Sequence, residues 1–402
     1  MNQSLIQLQK ISEKDSRTII GLMSGTSLDG LDIALCTITG AGSHTKITLE
    51  KFVTIDYTKD QKKLLKKISS VETVGLKDLC YMHTHLAADH ADMISRALKK
   101  WSVSGKEVDC IASHGQTIYH YPARDQKRSG QPLNTTFQIG DGDQIAAGTG
   151  IMTISDFRQK HTAHGGEGAP MAALVDRLLF GDAQKPRILL NIGGIANYTW
   201  LPAADKTGAQ PFTTDTGPGN TLIDNVVQHY FNMPFDRDAK IAKSGRVLDE
   251  VLQPLLSDPW FKESSSKSTG PEYFNIGWIR QTLEDDEMRF DQISPEDMVA
   301  TVTELSAVSI AVNMAACVPD VKKCGIYASG GGAHNPVLMK RLRDLLPGTE
   351  LMNFSELGVD PDAKEAVIFA VLANEMLAGE GFPMETKSGV KKVKFGKISF
   401  PE

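Results

Sequence analysis

Asp215-Thr-Gly-Pro-Gly-Asn220 sets a carboxylate at the end of a strand pattern, just before a Gly/Pro turn and a helix start. A carboxylate there is placed to act as a general base. An Asx-turn or N-cap aspartate fits the same spacing, which leaves both open. Gly21-Leu-Met-Ser-Gly-Thr-Ser-Leu-Asp-Gly-Leu-Asp32 forms a hairpin of small and hydroxylated residues. Glycine lets a backbone approach an anion closely, and clustered N–H and hydroxyl groups can cradle phosphate oxygens. Asp29 in this hairpin could hold Mg²⁺, directly or through water. An ordinary Ser/Gly hairpin fits as well. No lysine follows, so this is not the GxxxxGK[ST] phosphate loop.

Asn191-Ile-Gly-Gly-Ile-Ala-Asn197 is a second hairpin of the same kind. Two such turns facing one another would grip a polyphosphate; each alone also fits a tight hairpin needing positive φ. Ser329-Gly-Gly-Gly-Ala-His-Asn-Pro336 runs from a strand into a helix starting at Pro336. Three consecutive glycines allow a flat base to lie on the backbone. GxGxxG is not matched, so a dinucleotide fingerprint is not supported.

His114 and Gln116 sit at one strand end, and Asp156 and Arg158 at another. They are placed to hydrogen-bond sugar hydroxyls, or are plain loop polarity. Asp143 and Gln144 either join that floor or cap a helix at 144–147. His83, His85 and His90 look like a metal cluster, but on a helix only 83 and 90 share a face. A solvated helix surface is the expectation. His161 and His164 fall in a Gly-rich loop. No GxSxG nucleophile elbow is present.

These residues need elements to hold them. Strands are expected from Thr18, over 32–38, over 47–55, and from Val108 to about His114. Helices are expected within 60–100. Residues 120–136 are Pro/Gly-rich and charged, hence loop. A second cycle begins with strands at 187–192 and 195–201, then 212–214, and a helix over 221–230. Helices at 247–256 and 295–317, a strand at 326–329, a helix at 364–377 and a strand-like stretch at 390–400 complete it. The chain thus runs twice through strand, glycine turn, strand, strand, helix, strand. Duplicated α/β halves with glycine turns at strand ends predict a ligand between them. The expected division is a lead-in at 1–17, one lobe at 18–150 and another at 151–402, whose last strand could return to the first.

Composition sets outer limits. The 402 residues are 41% hydrophobic and 23% charged, which is ordinary globular protein. A formal charge of −6 argues against a dedicated nucleic-acid binder. No run reaches the roughly 18 apolar residues of a membrane span, and the N-terminus does not read as a secretory signal. Five scattered cysteines without a CxxC fit free thiols in a reducing cytosol.

GLMSGTSLDGLDIA, ASHGQTI, FQIGDGDQIAAGTGI, SDFR, GGEGAP, LLNIGGIAN, DTGPGN, KSTGPEYFN and SGGGAHNP, in that order, resemble the anhydro-N-acetylmuramic acid kinase family. The resemblance covers about residues 18–400. It implies an α/β fold of two RNase H-like lobes, the actin-like ATPase fold, around a central ATP cleft. It also implies an ATP- and Mg²⁺-dependent enzyme that opens a 1,6-anhydrosugar with water at C1 and phosphorylates O6, for peptidoglycan recycling.

By the same resemblance, Asp215 is the base. Ser24, Gly25, Thr26 and Ser27 line the phosphates, and Gly193, Gly194, Gly330, Gly331 and Gly332 line the nucleotide. His114, Gln116, Asp156 and Arg158 face the sugar, and Asp29 and Glu365 contact Mg²⁺. A cytoplasmic homodimer is implied. The chain departs from the family's DFRRRD, GGQGAP and KSTGRE at Gln159, His161, Glu167 and Pro271. These changes leave open the grip on a lactyl carboxylate. The alternatives are a levoglucosan-type or other anhydrosugar kinase, and a non-catalytic nucleotide- or sugar-binding module.

Overall fold

The computed structural model describes residues 2–402 apart from 26, 124, 125, 127–131, 170, 205–208, 263–266, 387 and 388. In chain order it first forms α1 (Gln3–Ser12), β1 (Ser16–Ser24), β2 (Gly30–Thr39), β3 (Lys46–Asp56), α2 (Lys59–Ile68) and α3 (Leu76–Trp101). Next come β4 (Cys110–Tyr121), β5 (Thr135–Ile139), α4 (Gly142–Thr149), β6 (Thr153–Ser155), α5 (Phe157–Ala163) and α6 (Ala172–Phe180). The middle forms β7 (Arg187–Ile192), β8 (Ile195–Leu201), β9 (Phe212–Pro218), α7 (Thr221–Phe231), α8 (Lys240–Ser244), α9 (Asp249–Leu256), α10 (Pro259–Lys262) and α11 (Ile276–Asp285). It continues with α12 (Pro295–Cys317), β10 (Gly325–Ser329), α13 (Pro336–Leu345) and β11 (Glu350–Asn353). The end forms α14 (Lys364–Leu377), β12 (Phe382–Thr386), β13 (Gly389–Val393) and β14 (Lys397–Ser399).

Two compact units result: Met1–Leu179 with Asp362–Glu402, and Phe180–Pro361. The division expected at residue 150 moves to 179/180. Residues 151–179 stay with the first unit because β6 pairs in parallel with β4. β14 pairs antiparallel with β6, so the end of the chain closes that same sheet.

The first unit's sheet has the order β14-β6-β4-β1-β2-β3, with β5 attached to β4. β1, β2 and β3 form an antiparallel meander, while β4 runs parallel to β1. β1 is buried almost throughout because both faces are covered. On one face Ile20 and Leu22 join Leu86 and Ile94 of α3 in the core. On the other, α14 comes so close that a Cβ on Gly21 would lie 1.9 Å from Ala366 O. Only glycine permits that approach.

The second unit repeats the plan: β11-β10-β7-β8-β9, with β7, β8 and β9 antiparallel and β10 and β11 parallel to β7. Two RNase H-like units of one topology stand in the chain, as the duplicated pattern predicts. α12 carries this unit. Met298, Val302 and Leu305 enter one apolar cluster, and Ile310 and Met314 another. α12 is long and apolar enough to cross a membrane by length and composition alone, but 78% of that stretch is buried in protein.

Three local expectations are corrected. Residues 120, 121, 135 and 136 are strand, not loop, because β4 and β5 pair there. His161 belongs to helix α5. His90 is fully buried rather than on a solvated face, because α3 turns it toward the sheet with Leu86 and Ile94. None of the five cysteines is joined in a disulfide.

Candidate functional site

Asp215 lies within β9, opposite Asn197 of β8. The segment after α10 folds over it. Thr269 N–H donates to Asp215 Oδ2 at 2.8 Å and Ser268 Oγ donates to the same oxygen at 3.2 Å. Asp215 N–H donates to Lys267 O at 2.9 Å. One carboxylate oxygen is therefore held by two donors, and Oδ1 has no protein donor among the hydrogen bonds of the described residues. Burial raises its pKa above the ordinary aspartate value, partly offset by the bonds from Thr269 and Ser268. A raised carboxylate pKa makes a stronger base near neutral pH.

Register places more polar groups in that row. Ser329 pairs with Asn191, Asn191 with Asn197, and Asn197 with Asp215 across β10, β7, β8 and β9. Side chains paired this way share one sheet face. Ser329, Asn191 and Asn197 stand in the quoted motifs without a role of their own. Their signal was hairpin arithmetic: the two asparagines sit three residues either side of Gly194.

The glycine turns of this unit converge. Asn220 N–H donates to Gly193 O, and Gly219 N–H to Gly194 O, each at 2.8 Å. A Cβ on Gly219 would lie 2.3 Å from Gly193 O. Gly330 takes φ +80°, and a Cβ there would meet Ile192 O at 2.7 Å. Gly194 and Gly331 are exposed and Gly193 and Gly330 half-buried. Gly332 is buried against Ile192, so it packs the turn rather than opening to a ligand. Asp224, one turn into α7, is pushed up to about 6 by burial.

In the first unit the hairpin after β1 presents Ser27 and Asp29 outward, with Gly25 half-buried. Thr26 lies outside the described residues. Leu28 sits at φ +60°, a strained position for a branched side chain. Ser24 is buried, and its Oγ donates to Gln116 Oε1. Gln116 is fully buried as well. Both side chains bond each other instead of pointing out, which corrects the expectation that one lines phosphate and the other sugar.

Asp32 joins the two carboxylates expected at Mg²⁺. Asp29 is exposed, with its nearest cation Lys62 Nζ at 3.8 Å. Glu365 is raised by burial and then by the charge of Asp32. Asp32 is itself raised by burial, with Asp362 and Asp29 adding to it. Among the described residues no group of three or more His, Cys, Asp or Glu side chains is gathered for a metal. Mutually repelling hard oxygens nevertheless suit Mg²⁺, which takes one or two carboxylates and completes its shell with water and phosphate.

Arg158 and His114 form one assembly. Arg158 Nε donates to His114 Nε2 at 2.9 Å, and Nη1 donates to Gly168 O at 3.0 Å. Burial, reinforced by Arg158, pushes His114 down to about 3, so it is neutral at pH 7. Asp156 stands at the head of α5 with positive φ and pairs with Lys397. His114, Asp156, Gln138, Gln159 and Lys397 line a cavity of about 620 Å³ within this unit. Asp141, not Asp143 or Gln144, caps α4.

A family profile described as anhydro-N-acetylmuramic acid kinase matches residues 17–399. The anhydro-N-acetylmuramic acid kinase of Pseudoalteromonas atlantica is 44% identical over 405 residues, covering 100% of both chains. The chain belongs to the anhydro-N-acetylmuramic acid kinase family. The enzyme of that name from Bacillus thuringiensis subsp. konkukian is 36% identical, covering 95% of this chain and 99% of its own. Among solved structures, component A of the (R)-2-hydroxyglutaryl-CoA dehydratase of Acidaminococcus fermentans aligns at a TM-score of 0.41 with 11% identity, over 90% of this chain and 99% of that one.

Two departures from the anhydro-N-acetylmuramic acid kinase pattern have structural employment. Gln159 Nε2 donates to Thr136 O and ties α5 to β5. His161 Nδ1 accepts from Gly168 N–H at 3.0 Å. Gly168 is the residue whose carbonyl Arg158 holds, so the loop beside Arg158 is pinned by both. Pro271 is exposed. Ser268 and Thr269, which clasp Asp215, were quoted in KSTGPEYFN without a role.

Proposed function

We propose that the chain is an ATP- and Mg²⁺-dependent kinase that opens 1,6-anhydro-N-acetylmuramic acid with water and phosphorylates O6. The products are N-acetylmuramic acid 6-phosphate and ADP, a step of peptidoglycan recycling. Asp215 carries this reading: a partly desolvated carboxylate, oriented by Ser268 and Thr269, in a chain of this kinase family. Asp215 takes a proton from water, whose oxygen bonds to C1 as the C1–O6 bond breaks. O6 then accepts the γ-phosphoryl group as its bond to ADP breaks.

Backbone N–H groups of the 24–29 hairpin and of the Gly193–Gly194 and Gly330–Gly331 turns are assigned to the nucleotide. Asp32 and Glu365, with Asp29 through water, are assigned to Mg²⁺, which would supply charge neutralisation on the phosphates. Neutral His114 orients Arg158, and Arg158 and Asp156 are assigned to the sugar. The reading carries with it the cytoplasmic homodimer that the family resemblance implies.

The test is ADP release with ATP and Mg²⁺ against 1,6-anhydro-N-acetylmuramic acid, levoglucosan, N-acetylmuramic acid, N-acetylglucosamine and no sugar. Turnover with the first alone is expected. Turnover with levoglucosan instead moves the substrate, and silence throughout removes the kinase reading in favour of a binding module. Arg158→Lys is expected to raise the sugar KM about tenfold with the ATP KM unchanged. A lysine has no fixed fork to serve His114 Nε2 and Gly168 O together. Equal sugar KM values would remove Arg158 from the sugar side.

A further inference from the structure

Tyr57 follows β3 and holds the 24–29 hairpin at both ends. Its backbone N–H donates to Asp29 O at 2.9 Å. Its hydroxyl lies 2.8 Å from Ser24 Oγ and 2.7 Å from His90 Nε2. Ser24 Oγ donates to Gln116 Oε1, and Gln116 Nε2 donates to Gly25 O at 3.1 Å. All four side chains are buried.

Hydrogen counts leave one direction of donation. The Gln116 amide nitrogen faces the carbonyls of Gly25 and Thr117, so Oε1 faces Ser24 and can only accept. Ser24 directs its single hydrogen there. Tyr57 must then donate to Ser24, and its oxygen accepts from His90. His90 is therefore the neutral Nε2–H tautomer, and burial agrees by pushing it down to about 3. Donation runs from His90 through Tyr57, Ser24 and Gln116 to the carbonyl of Gly25. That carbonyl also accepts from Leu28 N–H at 3.2 Å, where Leu28 holds its strained φ.

Four polar side chains in line inside an apolar core return little net stability and cost more when one partner is lost. What they share is an endpoint, the hairpin. We infer that Tyr57 and His90 are positioning residues that hold the 24–29 hairpin in its anion-binding shape through Ser24 and Gln116. The inference rests on the assignment of that hairpin to the nucleotide phosphates. It follows that the Ser24 hydroxyl hydrogen is not offered to phosphate, and that backbone N–H groups bind instead.

The experiment is steady-state kinetics on the full chain, with affinity for a non-hydrolysable ATP analogue measured in parallel. Tyr57→Phe is expected to raise the ATP KM and the analogue Kd about tenfold, with the sugar KM within about twofold. His90→Gln keeps an N–H donor near the Nε2 position and stays near wild type, while His90→Leu matches Tyr57→Phe. Ser24→Ala gives the same shift, and the Ser24→Ala/Tyr57→Phe double variant goes no further, because both cut one relay. Unchanged nucleotide affinity in Tyr57→Phe, or additive losses in the double variant, overturns the inference. If Tyr57→Phe does not fold, Ser24→Ala and the two His90 variants decide by the same criteria. Wild-type protein that binds the analogue but turns over no sugar defeats the kinase reading, and the analogue Kd values still judge the relay.

Discussion

Asp215→Asn is expected to lower turnover by about 10²- to 10⁴-fold while leaving nucleotide affinity within about threefold. Asparagine keeps the shape and an acceptor for Thr269 and Ser268, but has no basic lone pair of comparable strength. Turnover within about tenfold of wild type would show that Asp215 is not the base. The wild-type acid limb of kcat/KM is expected above the ordinary carboxylate range, since burial raises this group. Stability should move the other way. A folded pKa raised above the unfolded value gives stability that is full below the unfolded value and is lost as pH rises through the folded one. At neutral pH the ionised Asp215 is a net burden, so Asp215→Asn should melt at an equal or higher temperature. That advantage should disappear below about pH 3.9, the unfolded aspartate value. Paired melting curves at neutral and acid pH check both signs.

Gly21→Val is expected to do its damage through structure. A Cβ at Gly21 would stand 1.9 Å from Ala366 O, a backbone atom of α14 that no rotamer change can remove. Either α14 lifts from β1 or β1 bends. Overpacking of this kind costs about 3 kcal/mol or more, a fall of roughly 6–12 °C in melting temperature for a unit of this size. Glu365 precedes Ala366, so the same displacement takes the carboxylate away from Asp32. Activity should fall even in the fraction that folds. Gly105→Ala is the control, since a Cβ there meets only the Ile151 side chain, at 3.5 Å or more. Equal melting temperatures for Gly21→Val and wild type would refute the close approach.

The hairpin meanders were legible because β-branched alternation and glycine turns are local signals. α14 was read with its observed ends, Lys364 and Leu377, because its apolar face is continuous. β6 was missed because three residues hold no readable period. β5 was hidden in a Pro/Gly-rich stretch, and only its partner β4 makes it strand. The unit boundary went astray for the same reason, since sheet pairing across sequence distance leaves no local mark. For His90 the shared face with His83 was right, but which face meets the core was set by Leu86, Met93 and Ile94 around it. Asp215 and the glycine turns could be found by residue type. Asp32 could not, because what distinguishes it is its charge coupling to Asp362 and Glu365, more than three hundred residues away.

The first unit is interrupted by the second, and this has a bearing on synthesis. Residues 180–361 are continuous and can fold as soon as they leave the ribosome. The first unit cannot close at that stage. One face of β1 lacks α14, and β6 lacks its neighbour β14. Until residues 362–399 emerge, β1 shows an apolar face to water and β6 an open edge, both of which invite association. The nascent chain is thus most exposed to aggregation when it is nearly complete. Chaperone capture and protease nicking should concentrate on the first half of the sequence, although that half is made first.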